Sequence, residues 1–412
     1  MKPTILHPGI TAMMNEQPKQ QGISRRDLLA SAGATAAGIL LLNEVSAADN
    51  PAPHVGDRAS SIKITGFKTY PVGSKTLLKI ETNQQVFGWG EISQLPPTVS
   101  EPLMQSMFEL LDGENPTRIE HLWQKLYRAH RDYRGGAFML HTIAGIDMAL
   151  WDITGKLHGV PVYRLMGGPT RDRIRVYPTP KAYKVPAGGP RPASGNPADI
   201  EPLVQAVKEA RERVGKDGTV MFDAHCCLPP PMLIQFANAI EPYDVLWIEE
   251  PAVPGNIEVF KRIKQSVKVP LASGERDRTI WEVIPYLQER CIDIIQHDCA
   301  HGGGITQMKK VAVLAETYTV PLAPHSIASF IGIAASFHVT ASIPLFLIHE
   351  YYSNDCGGTL KKSWEVDKNG DSSLPQGPGL GVEVDEAALA KMDPTKFKWP
   401  GQKNPDGSVA DY

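Results

Sequence analysis

The chain has 412 residues, of which 42% are hydrophobic and 21% are charged, a composition typical of globular proteins and unlike that of disordered, collagen-like or coiled-coil chains. Its 42 basic and 45 acidic residues leave a net charge of −3, and no run of Lys or Arg could follow a nucleic-acid backbone or an anionic membrane surface. The length favours one large domain plus a smaller one, because a single core stops growing at about 250 to 300 residues. No apolar run reaches the roughly 18 residues of a spanning helix, so we expect no membrane span in the mature protein.

An arginine pair near the start of the chain opens a pattern typical of export signals. Arg25-Arg26 precedes a short apolar run at residues 28–42, and Val45-Ser46-Ala47 places small residues at the two positions that a signal peptidase reads. This order resembles a twin-arginine signal, although Leu28 stands where Phe is usual. An Ala-rich tail without a targeting role is the alternative. We assign residues 1–47 to the signal and expect a periplasmic protein.

The cysteines show no spaced metal or redox motif. Their total of five is odd, and two of them are adjacent rather than separated by two residues. We therefore expect free, buried thiols, even in an oxidising compartment. The positions are Cys226, Cys227, Cys291, Cys299 and Cys356.

Residues 60–170 carry strand patterns first and helix patterns afterwards. Alternating polar and apolar residues over 61–93, with a polar turn at Asn83-Gln84, predict antiparallel strands with one solvated face. Apolar residues then recur at helical spacing over 103–111 and 143–157, and the second run stops at His158-Gly159. This order indicates an α+β domain.

Residues 171–350 alternate short apolar runs with amphipathic helices, which predicts a parallel sheet. From the third run on the repeat is about 25 residues, and no fingerprint glycines follow the first run. A TIM-like barrel is therefore favoured over a dinucleotide-binding fold. The predicted strands lie at 174–177, 219–222, 245–248, 270–272, 292–295, 320–322 and 345–348. Residues 351–400 are rich in Gly, Pro and charge, and we expect them to return to the first domain.

One stretch is too short for a complete barrel. Between Tyr177 and Asp223 the sequence has a single helix, near residues 200–214, and a Pro- and Gly-rich passage at 179–197. A second strand with both flanking helices needs more chain than this. We therefore expect one abbreviated βα unit, with residues 180–184 as a candidate remnant strand.

Ionisable residues close successive predicted strands. They follow one another at separations of 26, 26, 23, 27 and 25 residues. Because the active site of such a barrel lies at the carboxyl ends of its strands, we expect these side chains to surround one rim. In chain order they are Asp223, Glu249, Glu275, Asp298, His325 and Glu350.

The first three of these residues predict a metal site. Converging carboxylates repel one another, and a divalent cation removes the conflict. Oxygen ligands from Asp223, Glu249 and Glu275 suit a hard ion such as Mg²⁺, whereas any one of them alone could cap a helix. Glu250 competes with Glu249 for the inward position, and the equal spacing of 26 residues favours Glu249.

Two histidines are candidates for proton transfer. His225 lies two residues beyond Asp223, so a continuing strand would point both side chains toward the metal. Asp298 and His325 end neighbouring strands, and a carboxylate on one imidazole nitrogen fixes the tautomer and makes the other nitrogen a general base. A purely structural hydrogen bond is the alternative role of each histidine.

These residue types suit the removal of a proton next to a carboxylate. His325 would take the α-proton, a divalent cation would stabilise the enediolate, and His225 could protonate a departing β-hydroxyl, so that the product is a 2-keto acid. Reprotonation from the other face, as in a racemase or epimerase, needs a second base that the abbreviated region would have supplied. A non-catalytic exported protein that binds sugar acids is a further alternative.

Three other groups of residues leave two roles open. Gly302-Gly303-Gly304 could hold an anion at a helix N-terminus, although a tight strand-to-helix turn needs the same glycines. Lys181 and Lys184 are either cationic site residues or solvated loop charges. Arg276 and Arg278 either grip a substrate carboxylate or neutralise the acidic rim.

Several motifs resemble the mandelate racemase branch of the enolase superfamily, and the match covers nearly all of residues 60–400. Within this branch, the Asp223-x-His225 pair is similar to acid-sugar dehydratases of the galactonate and mannonate type. The other motifs are Ala144-Gly145-Ile146-Asp147-Met148-Ala149-Leu150-Trp151-Asp152, Ile248-Glu249-Glu250-Pro251, Ser273-Gly274-Glu275-Arg276, Gly303-Gly304-Ile305-Thr306 and Ala323-Pro324-His325.

The resemblance implies an enolase-like capping domain over a TIM-like barrel and Mg²⁺-dependent dehydration of a sugar acid, an aldonate, to a 2-keto-3-deoxy acid. It implies that Asp223 is a metal ligand, that His225 is the general acid and that Glu350 hydrogen-bonds the substrate. We also expect a homo-oligomer. The family's Lys-x-Lys pair on the second strand has no clean counterpart, because Lys181 and Lys184 are three residues apart, and roughly one helix and strand are expected to be shortened or absent.

Overall fold

The computed structural model describes residues 61–188 and 197–392, together with 401, 403 and 407–409. The predicted export signal at 1–47 lies outside these residues. In the ranges that are described, no helix has both the length and the apolar character that crossing a membrane requires.

The first domain is an antiparallel sheet covered by helices, with the strands preceding the helices as the sequence predicts. Its three strands pair in the order β1-β2-β3. They are β1 (Ile64–Val72), β2 (Lys75–Thr82) and β3 (Phe87–Ser93). The helices are α1 (Pro97–Phe108), α2 (Ile119–Ala129), α3 (Ala137–His158) and the short α4 (Val162–Leu165).

The sheet of this domain is buried on both faces. Leu78 and Ile80 of β2 pack with Ile143 of α3 in the core of the first domain. Leu77 and Trp89, on the opposite face, belong to the large cluster that also contains the barrel helices. The second face of the sheet is therefore turned toward the barrel.

Helix α3 packs so closely on β3 that only glycine fits at two positions. A Cβ on Gly90 would lie 1.8 Å from the carbonyl oxygen of Gly145, and one on Gly88 would lie 2.0 Å from that of Ala149. The helix ends at Gly159, which has a φ of 68° and caps it in the left-handed conformation. This end agrees with the one predicted from the sequence.

The second domain is a barrel of mainly parallel strands. Strands β5 to β9 pair in sequence order, β10 pairs with β4, and Leu322 bridges β9 to Phe346. The strands are β4 (Arg173–Tyr177), β5 (Ala182–Pro186), β6 (Thr219–Asp223), β7 (Val245–Glu249), β8 (Leu271–Ser273), β9 (Ile294–Ile295) and β10 (His349–Glu350). The strands predicted at 320–322 and 345–348 are reduced to single bridges at Leu322 and Phe346.

Helices on the outside of the barrel connect these strands. Their apolar residues, such as Val207 and Phe236, join the largest buried cluster of the molecule. Side chains cap two of them: Asn256 accepts from Val259 N and Ser329 accepts from Ile331 N. The helices are α5 (Glu201–Val214), α6 (Pro230–Ile240), α7 (Ile257–Ser266), α8 (Ile280–Gln288), α9 (Gly304–Thr317) and α10 (Phe330–Thr340).

The predicted abbreviated βα unit is present, and its strand, β5, overlaps the candidate remnant at 180–184; the strand itself is neither absent nor shortened. β5 has five residues and pairs with β6 along its whole length, from Ala182 opposite Thr219 to Pro186 opposite Asp223. What is missing is the helix before it, because only residues 178–181 separate β4 from β5. No helix is needed to carry the chain back along the outside of the barrel, because Tyr177 at the end of β4 and Ala182 at the start of β5 already lie in the same interior cluster.

The C-terminal segment contacts both domains. β12 pairs with β4 of the barrel, and β11 pairs with β13. Glu386 then accepts hydrogen bonds from Tyr70 and Lys79 of the first domain, each 2.6 Å long. The elements are β11 (Leu360–Lys362), β12 (Asp371–Ser373), β13 (Val382–Val384) and α11 (Glu386–Leu389).

Candidate active site

The barrel interior has an apolar layer, to which each strand position contributes one residue. Because side chains alternate along a strand, the residue two positions further on lies on the same inward face. At most positions this next residue is polar, and we call these residues the polar layer. The apolar layer consists of Tyr177, Ala182, Met221, Trp247, Ala272, Ile294, Ala323 and Ile348. The polar layer consists of Lys184, Asp223, Glu249, Gln296, His325 and Glu350.

Lys184 lies among the carboxylates of the polar layer. Its ammonium is 2.7 Å from Glu350 Oε1, 2.9 Å from Glu249 Oε1 and 3.3 Å from Asp223 Oδ2. Burial disfavours the charged form, but Glu249 and the other carboxylates outweigh it and hold the pKa of Lys184 well above its ordinary value. Of the two roles left open above, Lys184 takes that of a cationic site residue, whereas Lys181 is exposed.

The carboxylates of the site carry more negative charge than one lysine compensates. Burial, and then the nearby charge of Glu249, raise the pKa of Asp223 to about 6. Burial likewise raises the pKa of Glu275 well above its ordinary value, and neighbouring carboxylates add to the effect although His325 opposes it. Glu249 behaves differently, because Lys184 outweighs the effect of burial and lowers its pKa.

Glu249 and Glu250 point in different directions, as the spacing predicted. Glu249 is the last residue of β7 and faces Lys184, while Trp247 Nε1 donates to its other oxygen at 3.1 Å. Glu250 has a φ of 44°, and the guanidinium of Arg276 contacts both of its oxygens, at 2.9 and 2.8 Å. Arg276 therefore neutralises a buried carboxylate, which decides between the two roles proposed for it.

His225 reaches the site through a turn and not through a continuing strand. β6 ends at Asp223, and His225 has a φ of 46° while its backbone N–H donates to Asp223 Oδ1 at 3.0 Å. Even so, one ring nitrogen lies within 4.8 Å of oxygens of Glu250 and Glu275. The predicted proximity to the carboxylates is present, but the predicted strand geometry is wrong.

His325 and Asp298 form the predicted pair. His325 Nδ1–H donates to Asp298 Oδ2 at 2.6 Å, and Nε2 faces Glu275 and Glu350 at 3.7 and 3.8 Å. Burial disfavours the imidazolium, but Glu275 and the other two carboxylates outweigh it and raise the pKa of His325 well above its ordinary value. Asp298 Oδ1 also accepts from Ala300 N at 2.6 Å, which fixes the orientation of the carboxylate.

Glu350 also lies where the sequence placed it. Its Oε1 accepts from Lys184, and its Oε2 accepts from the backbone N–H of Ser326 at 3.1 Å. All the predicted site residues are thus gathered at the carboxyl ends of the strands. Their individual roles stay predictions.

The predicted metal ligands are close enough to influence one another's charge. The structure does not place one oxygen from each of Asp223, Glu249 and Glu275 within 4.8 Å of the other two. Nevertheless, all three supply hard oxygen ligands, and neighbouring carboxylates add to the effect of burial in raising the pKa values of Asp223 and Glu275, a repulsion that a divalent cation would relieve. The residues fit Mg²⁺, and the metal site stays a prediction. Groups that do meet this distance in the described part of the chain are His225, Glu250 and Glu275, and Asp298, His301 and His325.

The glycine run after β9 serves close packing. A Cβ on Gly304 would lie 2.4 Å from Asp147 Oδ2, and one on Gly302 would lie 2.2 Å from the ring of His297. Asp147 in turn accepts from the backbone N–H of Thr306 at 3.0 Å and from its hydroxyl at 2.5 Å. These contacts favour the tight-turn role of the glycines over anion binding.

The five cysteines are free, as predicted. Four are buried, but Cys226 is only half-buried. Cys226 Sγ accepts from Arg276 Nη2 at 2.5 Å, so this thiol lies beside the ion pair of Arg276 and Glu250.

His301 is a site residue that the sequence did not point to, whereas Lys184 was named with two roles left open. Alternation alone favours the site role of Lys184, since it follows Ala182 by two residues on an inward face. His301 has no such signal. Its Nδ1 is 3.6 Å from Asp298 Oδ2, and its ring stacks on that of His141 from α3, with centroids 4.7 Å apart.

Known protein families match both domains. Residues 58–167 match the model of the mandelate racemase / muconate lactonizing enzyme N-terminal domain, and residues 173–388 match the enolase C-terminal domain-like model. The chain belongs to the mandelate racemase/muconate lactonizing enzyme family. The resemblance inferred from the motifs is confirmed, and with it the barrel and the capping domain.

Individual relatives cover most of the chain. A D-galactonate dehydratase from Variovorax paradoxus is 35% identical over 85% of this chain and 100% of its own length. A D-galactonate dehydratase from Ralstonia nicotianae is 34% identical over the same shares. Among solved structures, an enolase from Agrobacterium radiobacter, a candidate galactarate dehydratase bound to Na and L-malate, has a TM-score of 0.78 at 29% identity and covers 84% of this chain and 99% of its own.

Proposed function

We propose that the protein is an acid-sugar dehydratase that converts an aldonate to a 2-keto-3-deoxy acid with Mg²⁺. One observation carries the proposal: two imidazoles, those of His325 and His225, lie within 4.8 Å of oxygens of the same buried carboxylate, Glu275. Elimination of water needs both a base for the α-proton and an acid for the β-hydroxyl. The D-galactonate dehydratases similar to this chain support the same reaction class.

His325 acts as the base in this proposal. Nε2 takes the proton from the α-carbon, while Asp298 holds Nδ1–H at 2.6 Å and stabilises the imidazolium that forms. The electron pair of the broken C–H bond becomes the new carbon–carbon double bond as the β-hydroxyl leaves. His225 gives that hydroxyl a proton, so it departs as water, and the enol tautomerises to the 2-keto acid.

Asp223, Glu249 and Glu275 are the residues that would hold Mg²⁺. A divalent cation at this position supplies positive charge to the substrate carboxylate, which makes the α-proton more acidic. Lys184 adds a second positive charge beside Glu249 and Glu350. Glu350 is also available to hydrogen-bond the substrate.

The second strand does supply a basic residue, Lys184, but the contacts of Lys184 argue against racemisation. The Lys184 ammonium donates to Glu350 and Glu249 at 2.7 and 2.9 Å, whereas Nε2 of His325 lies 3.7 and 3.8 Å from Glu275 and Glu350. Lys184 is therefore better suited to bind negative charge than to accept a proton. Dehydration accordingly outranks epimerisation.

The two histidines can be tested separately. We expect His325→Asn to abolish both exchange of the α-proton with deuterated solvent and formation of 2-keto-3-deoxy acid. We expect His225→Gln to retain exchange while product formation falls by about 10² or more. A panel of aldonic and aldaric acids with Mg²⁺ provides the substrates, and His121→Asn, on the exposed face of α2, is the matched control.

Other results would assign a different function. Exchange that persists in His325→Asn would remove His325 as the base. A change in optical rotation without keto acid would indicate an epimerase, and tight binding of acids without turnover would indicate a binding protein. Loss of activity in EDTA, restored by Mg²⁺ together with a higher melting temperature, is expected if the metal site is correct.

Export and assembly are further proposals that rest on the sequence. Residues 1–47, with Arg25-Arg26, are proposed to direct the folded protein to the periplasm. A reporter fused to these residues should be exported only by cells with a functional twin-arginine pathway. The proposed homo-oligomer is tested by light scattering of the purified protein.

A further inference from the structure

Lys75, in the capping domain, is a buried lysine whose charge is not paired. It begins β2 and retains only 9% of its exposure. Within the described residues its ammonium has no hydrogen bond and no ion pair. The ammonium keeps some contact with solvent. A charge that is nine-tenths buried without a partner is costly unless something else binds it.

Lys75 lies on the face of the sheet that is turned toward the barrel. It is paired in register with Ser93, and the next pair on the same face is Leu77 with Glu91. Leu77 packs in the cluster that contains the barrel helices. Lys75, Ser93 and Glu91 therefore share a surface above the barrel.

Two separate sets of contacts connect this surface to the active site. In the first, Ser93 O accepts from His141 Nδ1–H at 2.8 Å. His141 stacks on His301 with the rings inclined by only 6°, and His301 Nδ1 is 3.6 Å from Asp298 Oδ2. Contacts thus run from Ser93, in the strand opposite Lys75, through His141 and His301 to Asp298, the carboxylate that holds the base.

The second set of contacts runs through the loop that follows His325. Glu91 Oε2 accepts from the backbone N–H of Ser329 at 2.9 Å. Three residues earlier in the same loop, Ser326 N–H donates to Glu350 Oε2 at 3.1 Å. Burial raises the pKa of Glu91, and the nearby charge of Lys75 opposes this effect without forming an ion pair with Glu91. Both sets of contacts connect the surface that Lys75 shares with Ser93 and Glu91 to residues that contact His325 and Glu350.

We propose that Lys75 donates a hydrogen bond to an oxygen at the far end of the acid sugar, away from the carboxylate next to which the proton is removed. This inference rests on the proposed function and adds a residue that determines specificity. Lys184 and the acidic residues receive the reacting end from the barrel, and Lys75 receives the other end from the cap. The oxygen is a hydroxyl in an aldonic acid and a carboxylate in an aldaric acid, and both accept from an ammonium.

The test compares substrates with and without a far end. We expect Lys75→Met to raise KM for six-carbon aldonic or aldaric acids at least tenfold, with a smaller change in kcat. Exchange of the α-proton of glycerate, which has the reacting carbons only, should not change. Lys75→Arg should recover part of the loss, and the acid that loses more, aldonic or aldaric, shows whether the oxygen is a hydroxyl or a carboxylate.

Lys79→Met is the matched control. Lys79 lies on the same face of β2, but its ammonium is bound to Glu386 at 2.6 Å, so its loss should affect stability without raising KM. An unchanged KM in folded Lys75→Met, or an equal loss on glycerate, would overturn the proposal. If the wild-type protein turns over none of the acids, the proposed function fails, and calorimetric titration of the same acids into wild type and Lys75→Met still measures whether Lys75 binds them.

Discussion

The apolar layer and the polar layer of the barrel lie only two residues apart on the same strands, but their energetics differ. Met221 and Trp247 are fully buried among other apolar side chains, a situation that stabilises the fold by roughly 25 cal/mol for each Å² removed from water. Asp223, which is partly buried, and Glu249, which is fully buried, lie two residues further on; their carboxylates repel each other and are both bound by Lys184. The comparison teaches that one layer holds the strands together and that the next can carry charges which burial alone would not favour.

Asp298→Asn should have the largest effect, and on catalysis more than on stability. The substitution keeps the size of the side chain but removes the charge that orients His325 and stabilises its imidazolium. We expect α-proton exchange to fall by about 10³ to 10⁴, measured by NMR in deuterated buffer. Asp217→Asn, at an exposed position before β6, is the control. A loss of less than tenfold would show that Asp298 does not set the activity of the base.

Lys184→Met should show how strongly the carboxylates of the polar layer lower the free energy of unfolding when their cation is removed. Two buried carboxylates, Glu249 and Glu350, and the partly buried Asp223 then lose their common cation. We expect the free energy of unfolding to drop by about 3 to 5 kcal/mol, measured by urea denaturation in EDTA. Added Mg²⁺ should stabilise the variant more than the wild type if the carboxylates bind it. Lys268→Met removes an exposed lysine paired with Glu241 and should change stability by no more than about 0.5 kcal/mol. Equal urea midpoints for Lys184→Met and wild type would contradict the comparison.

Met221→Ala tests the apolar layer. Its side chain is fully buried two residues before Asp223, so truncation should lower the free energy of unfolding by about 2 to 5 kcal/mol through lost burial and a cavity. The kcat of the folded fraction should stay within a few-fold of wild type, because no charge in the polar layer is removed. A catalytic loss as large as that of Asp298→Asn would mean that the two layers are not separable.

Glu386→Gln should have the smallest effect and lies outside both layers. Hydrogen bonds from Lys79 and Tyr70 lower the pKa of Glu386 to about 2, below the ordinary value of about 4.3 for an unfolded chain. Its contribution to stability is therefore present above pH ~4.3 and is lost as the pH falls toward 2. The variant should melt below the wild type at pH 7, and the two melting curves should converge near pH 2. A difference independent of pH would point to lost packing instead.

Local patterns predicted most of the elements. The helical spacing over 143–157 lies within α3, and the apolar runs at 219–222 and 245–248 correspond to β6 and β7. The second strand was predicted only as a candidate remnant at 180–184, because it follows a four-residue turn instead of a helix. The length between Tyr177 and Asp223 shows that an element is missing, but it cannot tell a missing helix from a missing strand.

The sequence predicted which residues form the site more fully than it predicted which of them are in contact. The period of about 25 residues selected Asp298 and His325, which meet at 2.6 Å. It did not select Lys184, which lies one strand before the periodic series begins. Nor did it select Lys75 or His301, because contacts between the cap and the barrel leave no regular spacing in the chain.

The sequence by itself determined which groups stand at the carboxyl ends of the strands, because alternation along each strand and the repeat between strands are local properties of the chain. Only the tertiary structure decided which of these groups are partners. That Lys184 is the partner of Glu249, and that Arg276 faces Glu250 and not a substrate, depends on left-handed turns after the strands and on side chains from other strands. Those choices are set by close packing and by the balance of buried charge, which involve residues far apart in the sequence.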